Sequence, residues 1–82
     1  LSRYEGRLKP VFLPESAFAV NKALKDLALE KLQVSIHTIR RGNDIVPNPN
    51  DDTQLLSADI VILSGEQTAI EAAESYLLIG QK

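Results

Sequence analysis

Arg40 and Arg41 stand side by side at the end of an apolar stretch, and Asn21, Lys22 and Lys25 cluster at what reads as the start of a helix. Both patterns suit anions. Guanidinium groups grip phosphate or carboxylate oxygens in forked pairs. The free N–H groups at a helix start attract negative charge, and two lysines would reinforce them. Each pattern also has a plainer reading. Adjacent strand residues face opposite ways, so only one arginine joins any given pocket; the alternative is one paired arginine and one solvated one. A capped, solvated helix start carries the same residues as an anion site.

Other candidates are weaker. His37 is the single histidine. A catalytic histidine needs an orienting partner and a nucleophile or substrate to serve, and the sequence supplies neither. That leaves a ligand contact, a pH-sensing group or an ordinary strand residue. Asp51 and Asp52, with Asn48 and Asn50 beside them, lack the spacing and the distal glutamate of a calcium loop. Turn and capping roles account for them, so no metal or cofactor is expected. The sequence has no glycine-rich phosphate loop, paired catalytic carboxylates or nucleophile elbow. An enzyme is therefore not expected.

Composition narrows the classes further. Eighty-two residues make one domain, and a chain this short buries only about 60% of the surface its unfolded form exposes. A second copy or a larger parent protein would help it. Eleven acidic residues against nine basic ones leave a net charge of −2, which argues against nonspecific binding of a nucleic-acid polymer. The absence of cysteine excludes disulfides and thiolate metal sites and fits a reducing cytoplasm. No apolar run approaches the roughly 20 residues that span a bilayer, and no signal peptide is visible. The sequence contains no methionine, so we expect it to be a piece of a longer protein.

These residues must be held by a small number of elements. Residues 1–8 read as the end of a linker. Residues 9–13, between Pro10 and Pro14, suit an edge strand. Asn21 is the expected N-cap of a helix over 22–29, with Leu24, Leu27 and Ala28 on one face. Residues 34–41 form the next strand. Val34, Ile36 and Thr38 share a face but Ile39 falls on the other, so either both faces are partly covered or a bulge shifts the register. Gly42-Asn43-Asp44 reads as a hairpin turn. Ile45 and Val46 begin a return strand that Pro47 and Pro49 end, and Asp52 is expected to cap the turn over 53–56.

Ile60 to Leu63 is unbroken and apolar. That pattern predicts a central strand covered on both faces, in which Ile62→Asp would prevent folding. Ser64-Gly65-Glu66-Gln67 fits a capping box, and Glu66 would complement the positive end of the helix dipole. Ile70, Ala73 and Leu77 form the buried stripe, and Gly80 ends the helix. The expected architecture is α+β: a small, mostly antiparallel sheet of about four strands with two helices, in the order β-α-β-β-β-α.

The order of motifs resembles one known family. Asn21-Lys22-Ala23-Leu24-Lys25-Asp26-Leu27 is similar to the G-K-x-L-x-E-L segment of the C-terminal domain of the regulator-of-conductance-of-potassium family, the TrkA-C domain. The apolar strand from Val34 ending in Arg41-Gly42 resembles that family's strand ending in Arg-Gly. Ile45-Val46-Pro47-Asn48-Pro49 resembles its strand ending in prolines. Ala58-Asp59-Ile60-Val61-Ile62-Leu63-Ser64-Gly65 resembles its G-D-x-L-x-x-x-G signature. The resemblance runs from about Val11 to Leu77. Asn21 and Ala58 depart from it, each standing where the family usually has glycine. If the backbone at Asn21 needs positive φ, asparagine is the next most tolerant residue.

The resemblance implies a regulatory domain at residues 9–82, serving a potassium channel, potassium transporter or cation–proton antiporter at the cytoplasmic face of the membrane. It implies a homodimer, with the parent membrane protein as partner. It also implies, for some members, a small anionic ligand such as a cyclic dinucleotide in the dimer cleft. Carried over by motif, that cleft involves Ala19, Val20, Asn21 and Lys25; core packing explains Ala19 and Val20 equally well. Two alternatives stand beside this: a purely structural dimerisation domain without ligand, and a sensor module of a soluble transcription regulator.

Overall fold

The computed structural model describes residues 7–80. Residues 1–6, most of the expected linker, lie outside the described residues. The expected architecture is found. Strands β1 (Arg7–Phe12), β2 (Ser35–Arg41), β3 (Asp44–Pro47) and β4 (Ile60–Gly65) form one antiparallel sheet in the spatial order β1-β4-β2-β3. Two helices accompany it, α1 (Leu24–Leu27) and α2 (Gln67–Ile79).

The sheet buries one face. Val11 pairs with Val61, Val61 with Ile39, and Ile39 with Val46, so a single cross-strand row is apolar from edge to edge. This row and Leu63 pack with Ile70, Ala73 and Leu77 of α2 and with Leu13, Leu27 and Leu55 in one cluster. Full burial of each Val, Leu or Ile side chain among them contributes about 1.5–3 kcal/mol. Lys9 Nζ donates to Glu74 Oε1 at 2.9 Å and straps β1 to α2.

β4 is central, as expected, but only one of its faces is covered by the described residues. Val61 and Leu63 point into the core, whereas Ile60 and Ile62 lie half-buried on the opposite side. A continuous apolar run thus does not place Ile62 in the core. The irregular alternation of β2 comes from a bulge: the register with β4 shifts between Ile36 and Thr38, at His37. The β2–β3 turn has two residues, Gly42 and Asn43. Gly42 is at φ 61°, the glycine-first order of a II′ hairpin loop.

Several local expectations fail for tertiary reasons. Asn21 is not an N-cap; it sits at φ 72°, and the first helix begins two residues later, after Ala23. That helix is also only four residues long. Ala28 adopts φ 50°, and a separate 3-10 turn over Leu29–Leu32 carries buried Leu29 into the core that α1 enters through Leu27. The capping box is absent, because Ser64 and Gly65 belong to β4, paired with Leu8 and Arg7. Glu66 is the N-cap of α2 without a side-chain bond, and Gln67 Nε2 donates to Glu71 Oε2 at 3.3 Å instead. Asn50, not Asp52, organises the 50–53 turn: its Oδ1 accepts from the Asp52 N–H at 2.9 Å and from the Thr53 hydroxyl at 3.2 Å. Gly80 ends α2 as expected. Its φ is 77°, and a Cβ there would lie 2.8 Å from the Phe18 ring.

Candidate functional site

The segment from Phe18 to Lys25 is laid down by backbone bonds on two sides. The N–H groups of Phe18 and Ala19 donate to the Leu78 and Leu77 carbonyls and so satisfy two acceptors at the end of α2. Residues 21–25 then run against residues 51–55. The Asn21 N–H donates to the Leu55 carbonyl at 2.7 Å, the Leu55 N–H to Lys22, the Leu24 N–H to Thr53 and the Lys25 N–H to Asp51. The positive φ at Asn21 turns the chain into this zipper, a conformation asparagine tolerates better than most residues.

This corrects the expectation of an anion site at a helix start. The donors at Asn21, Lys22, Leu24 and Lys25 are all spent inside the domain. Lys22 is also engaged: its Nζ donates to the Phe18 carbonyl at 2.8 Å and lies 4.1 Å from the centre of the Phe18 ring.

The four positions proposed for a ligand cleft are thus brought into one strip with unequal exposure. Ala19 is wholly buried and Val20 half-buried against the core, while Asn21 and Lys25 reach solvent. Lys25 Nζ is 3.3 Å from Asp52 Oδ1, and both side chains are well exposed. Such a pair contributes about 0–1 kcal/mol, so Lys25 is easily recruited elsewhere.

Two cavities flank this region and the hairpin. The one beside α1 and the 3-10 turn holds about 200 Å³ and is lined by Leu24, Ile36 and Pro49 together with the carboxylates Glu30 and Asp51, and no cation. The other, about 360 Å³, lies at the β2–β3 hairpin and is lined by Arg40, Asp44, Ile45, Ala58 and Ile60 among others. Arg40 is exposed and makes no ion pair among the described residues.

Arg41 takes the opposite role, so one arginine is paired and the other solvated. Its Nε and Nη2 donate to Asp59 Oδ1 and Oδ2 at 3.0 and 2.9 Å. Asp59 is 1% exposed, and Oδ2 also accepts from the Leu56 N–H at 2.9 Å. The hydrogen bond to Asp59 raises the Arg41 pKa above its ordinary value, with desolvation opposing. Nη2 further donates to the Gln54 carbonyl, and Gln54 Nε2 donates to the Asn21 carbonyl at 2.9 Å. Arg41, Gln54 and Asn21 therefore form a polar chain from the hairpin root to the candidate cleft. Sequence reasoning missed Asp59 as its buried anchor. The available signal was a lone carboxylate heading a wholly apolar strand, with an arginine at the end of another strand to answer it.

His37 is exposed at the bulge, with Nδ1 2.7 Å from the Thr38 hydroxyl. Among the described residues no group of three or more His, Cys, Asp or Glu side chains is placed to hold a metal ion, and no helix is long and apolar enough to cross a membrane.

The family model of the TrkA-C domain matches residues 11–78. The chain belongs to the TrkA-C domain family. Solved structures with the same fold include the C domain of the potassium transport protein KtrA in complex with cyclic diadenosine monophosphate. It is 22% identical, with a TM-score of 0.76 over 87% of this chain and 82% of that one. The RCK_C domain dimer of BusR from S. agalactiae, in complex with cyclic di-AMP, is 13% identical, with a TM-score of 0.76 over 85% and 93%. An RCK domain with cda is 20% identical, with a TM-score of 0.69 over 85% and 96%. Among curated proteins none matches the sequence. The two glycine-position departures of this TrkA-C domain, Asn21 and Ala58, both adopt positive φ, at 72° and 69°.

Proposed function

We propose that this TrkA-C domain is a ligand-sensing and dimerisation module of a potassium channel, potassium transporter or cation–proton antiporter. It works at the cytoplasmic face of the membrane and binds a cyclic dinucleotide as a homodimer. The observation that carries the reading is the family match over residues 11–78; the shared fold with domains solved in complex with cyclic di-AMP supports it.

In this reading the cleft lies along Ala19, Val20, Asn21 and Lys25. Exposed Asn21 and Lys25 touch the ligand, and Ala19 and Val20 shape the backbone beneath. The spent N–H groups leave recognition of phosphate to side chains. Lys25 exchanges its exposed Asp52 partner for the ligand at little cost. A ligand bridging two subunits biases their relative orientation, by no more than its differential affinity for the two arrangements. The attached membrane domain reads that bias.

A second reading, a structural dimerisation domain without ligand, is favoured by the carboxylates and missing cation of the cavity beside α1. Thermal unfolding against cyclic dinucleotides, mononucleotides and divalent cations separates the two. A ligand at about 100 times its Kd adds roughly 2.7 kcal/mol, several degrees for a domain of this size. A rise with cyclic di-AMP that Lys25→Glu abolishes is the expected result. A flat panel with a folded dimer would replace the sensor reading by the structural one.

A further inference from the structure

Asn21 is held by its backbone and free at its side chain. Its N–H donates to the Leu55 carbonyl at 2.7 Å, and its carbonyl accepts from Gln54 Nε2 at 2.9 Å. Two consecutive residues of one segment thus clamp both backbone polar groups of a residue at φ 72°. Glycine meets such a φ at no steric cost, so asparagine carries some strain there and brings an amide. Asn21 is exposed, and among the described residues that amide makes no hydrogen bond. The clamp is itself anchored. Gln54 bridges Ala23 through its backbone, and its carbonyl accepts from Arg41 Nη2 at 2.9 Å. Arg41 is fixed in turn by the buried Asp59. The Gln54 side chain therefore reaches Asn21 from a base that is tied on two sides.

We propose that Gln54 is the positioning residue of the cleft, and that the Asn21 amide it aims reads the base of the ligand. The proposal rests on the ligand-sensing reading above and deepens it by naming the group that sets base preference. A side-chain amide offers a donor and an acceptor side by side. Adenine presents the complement, N7 as acceptor and the N6 amino group as donor, whereas guanine presents two acceptors, N7 and O6. An aimed amide at Asn21 thus favours an adenine dinucleotide over a guanine one, while Lys25 meets phosphate. Gln54 does not touch the ligand; it acts through Asn21, by holding the backbone from which the amide projects.

The test is calorimetric titration of the 82-residue chain with cyclic di-AMP and with cyclic di-GMP. It compares the parent, Asn21→Gly, Gln54→Met and the double variant, with melting temperatures alongside. Glycine keeps the positive φ and removes the amide; methionine keeps the length of Gln54 and removes the donor. Asn21→Gly is expected to weaken cyclic di-AMP binding about tenfold and to abolish the preference over cyclic di-GMP. Gln54→Met is expected to weaken cyclic di-AMP binding at least about threefold, with a nearly unchanged melting temperature. In the Asn21→Gly background it should do nothing further, because a residue that acts through another has no separate effect once that one is gone. Equal losses from Gln54→Met in both backgrounds, or none in either, would overturn the positioning role while leaving the ligand reading intact. A base preference that survives Asn21→Gly would overturn the role of the amide. A parent chain that binds neither dinucleotide would overturn the ligand-sensing reading and this assignment with it.

Discussion

The two faces of the sheet are built from the same four strands and almost the same residue types, yet the described residues close only one. The inner row of Val11, Val61, Ile39 and Val46 packs against α2 and the loops; over the outer row of Phe12, Ile60, Arg40 and Ile45 no element lies among the described residues. Residue type therefore does not separate the covered face from the exposed one in this chain. What separates them is parity along the strand and the side on which the one long helix lies.

Substitutions at adjacent residues break this comparison most sharply. Val61→Asp should leave no folded protein, because an unpaired carboxylate would replace a side chain with no exposure at a cost of several kcal/mol. Ile62→Asp, one residue on, should still fold, with a cooperative transition in urea, because Ile62 is only half-buried on the outer face. An unfolded Ile62→Asp chain would show that the outer face is closed within the monomer. The paired arginines repeat the contrast at the hairpin root. Arg41→Ala strands the buried Asp59 carboxylate and should lower stability by about 3 kcal/mol. Arg40→Ala should change it by under about 0.5 kcal/mol. Equal losses in denaturant titration would mean that Asp59 is satisfied without its guanidinium.

Smaller effects are expected at two backbone positions. Gly80→Ala forces a left-handed residue, at about 1–2 kcal/mol, and presses a methyl group on Phe18; a lower melting temperature measures it. Ala58→Gly should act in the opposite direction and gain about 0.5 kcal/mol, since Ala58 already pays the left-handed penalty at φ 69°. A destabilised Ala58→Gly would show that the alanine methyl group makes a contact worth more than the strain.

The strand order and core stripe were legible because they depend on short-range patterns. Ile70, Ala73 and Leu77 follow helical spacing, the apolar run at Ile60 marks the central strand, and Gly42-Asn43 marks the turn. The misread features are those in which a distant partner decides. Asn21 has the chemistry of an N-cap, but its N–H bonds to Leu55, 34 residues away in sequence, and that bond draws the chain out of helical geometry. Ser64 and Gln67 have the spacing of a capping box, yet pairing with β1 and β2 keeps Ser64 in the sheet. Asp59 looked like a strand boundary because nothing local announces that Arg41 and the Leu56 N–H converge on it.

The prolines of the two outer strands bear on how the sheets of two such molecules can meet. Pro10 lies in β1 and Pro47 in β3, the strands at the two margins of the sheet, and neither residue has an N–H to offer an incoming strand. Ribbon-like growth from sheet to sheet, the usual hazard of a small β domain, is blunted at both margins. The exposed apolar side chains of β1 and β3, Leu8, Phe12 and Ile45, are thereby kept from standing beside a full pairing edge as well.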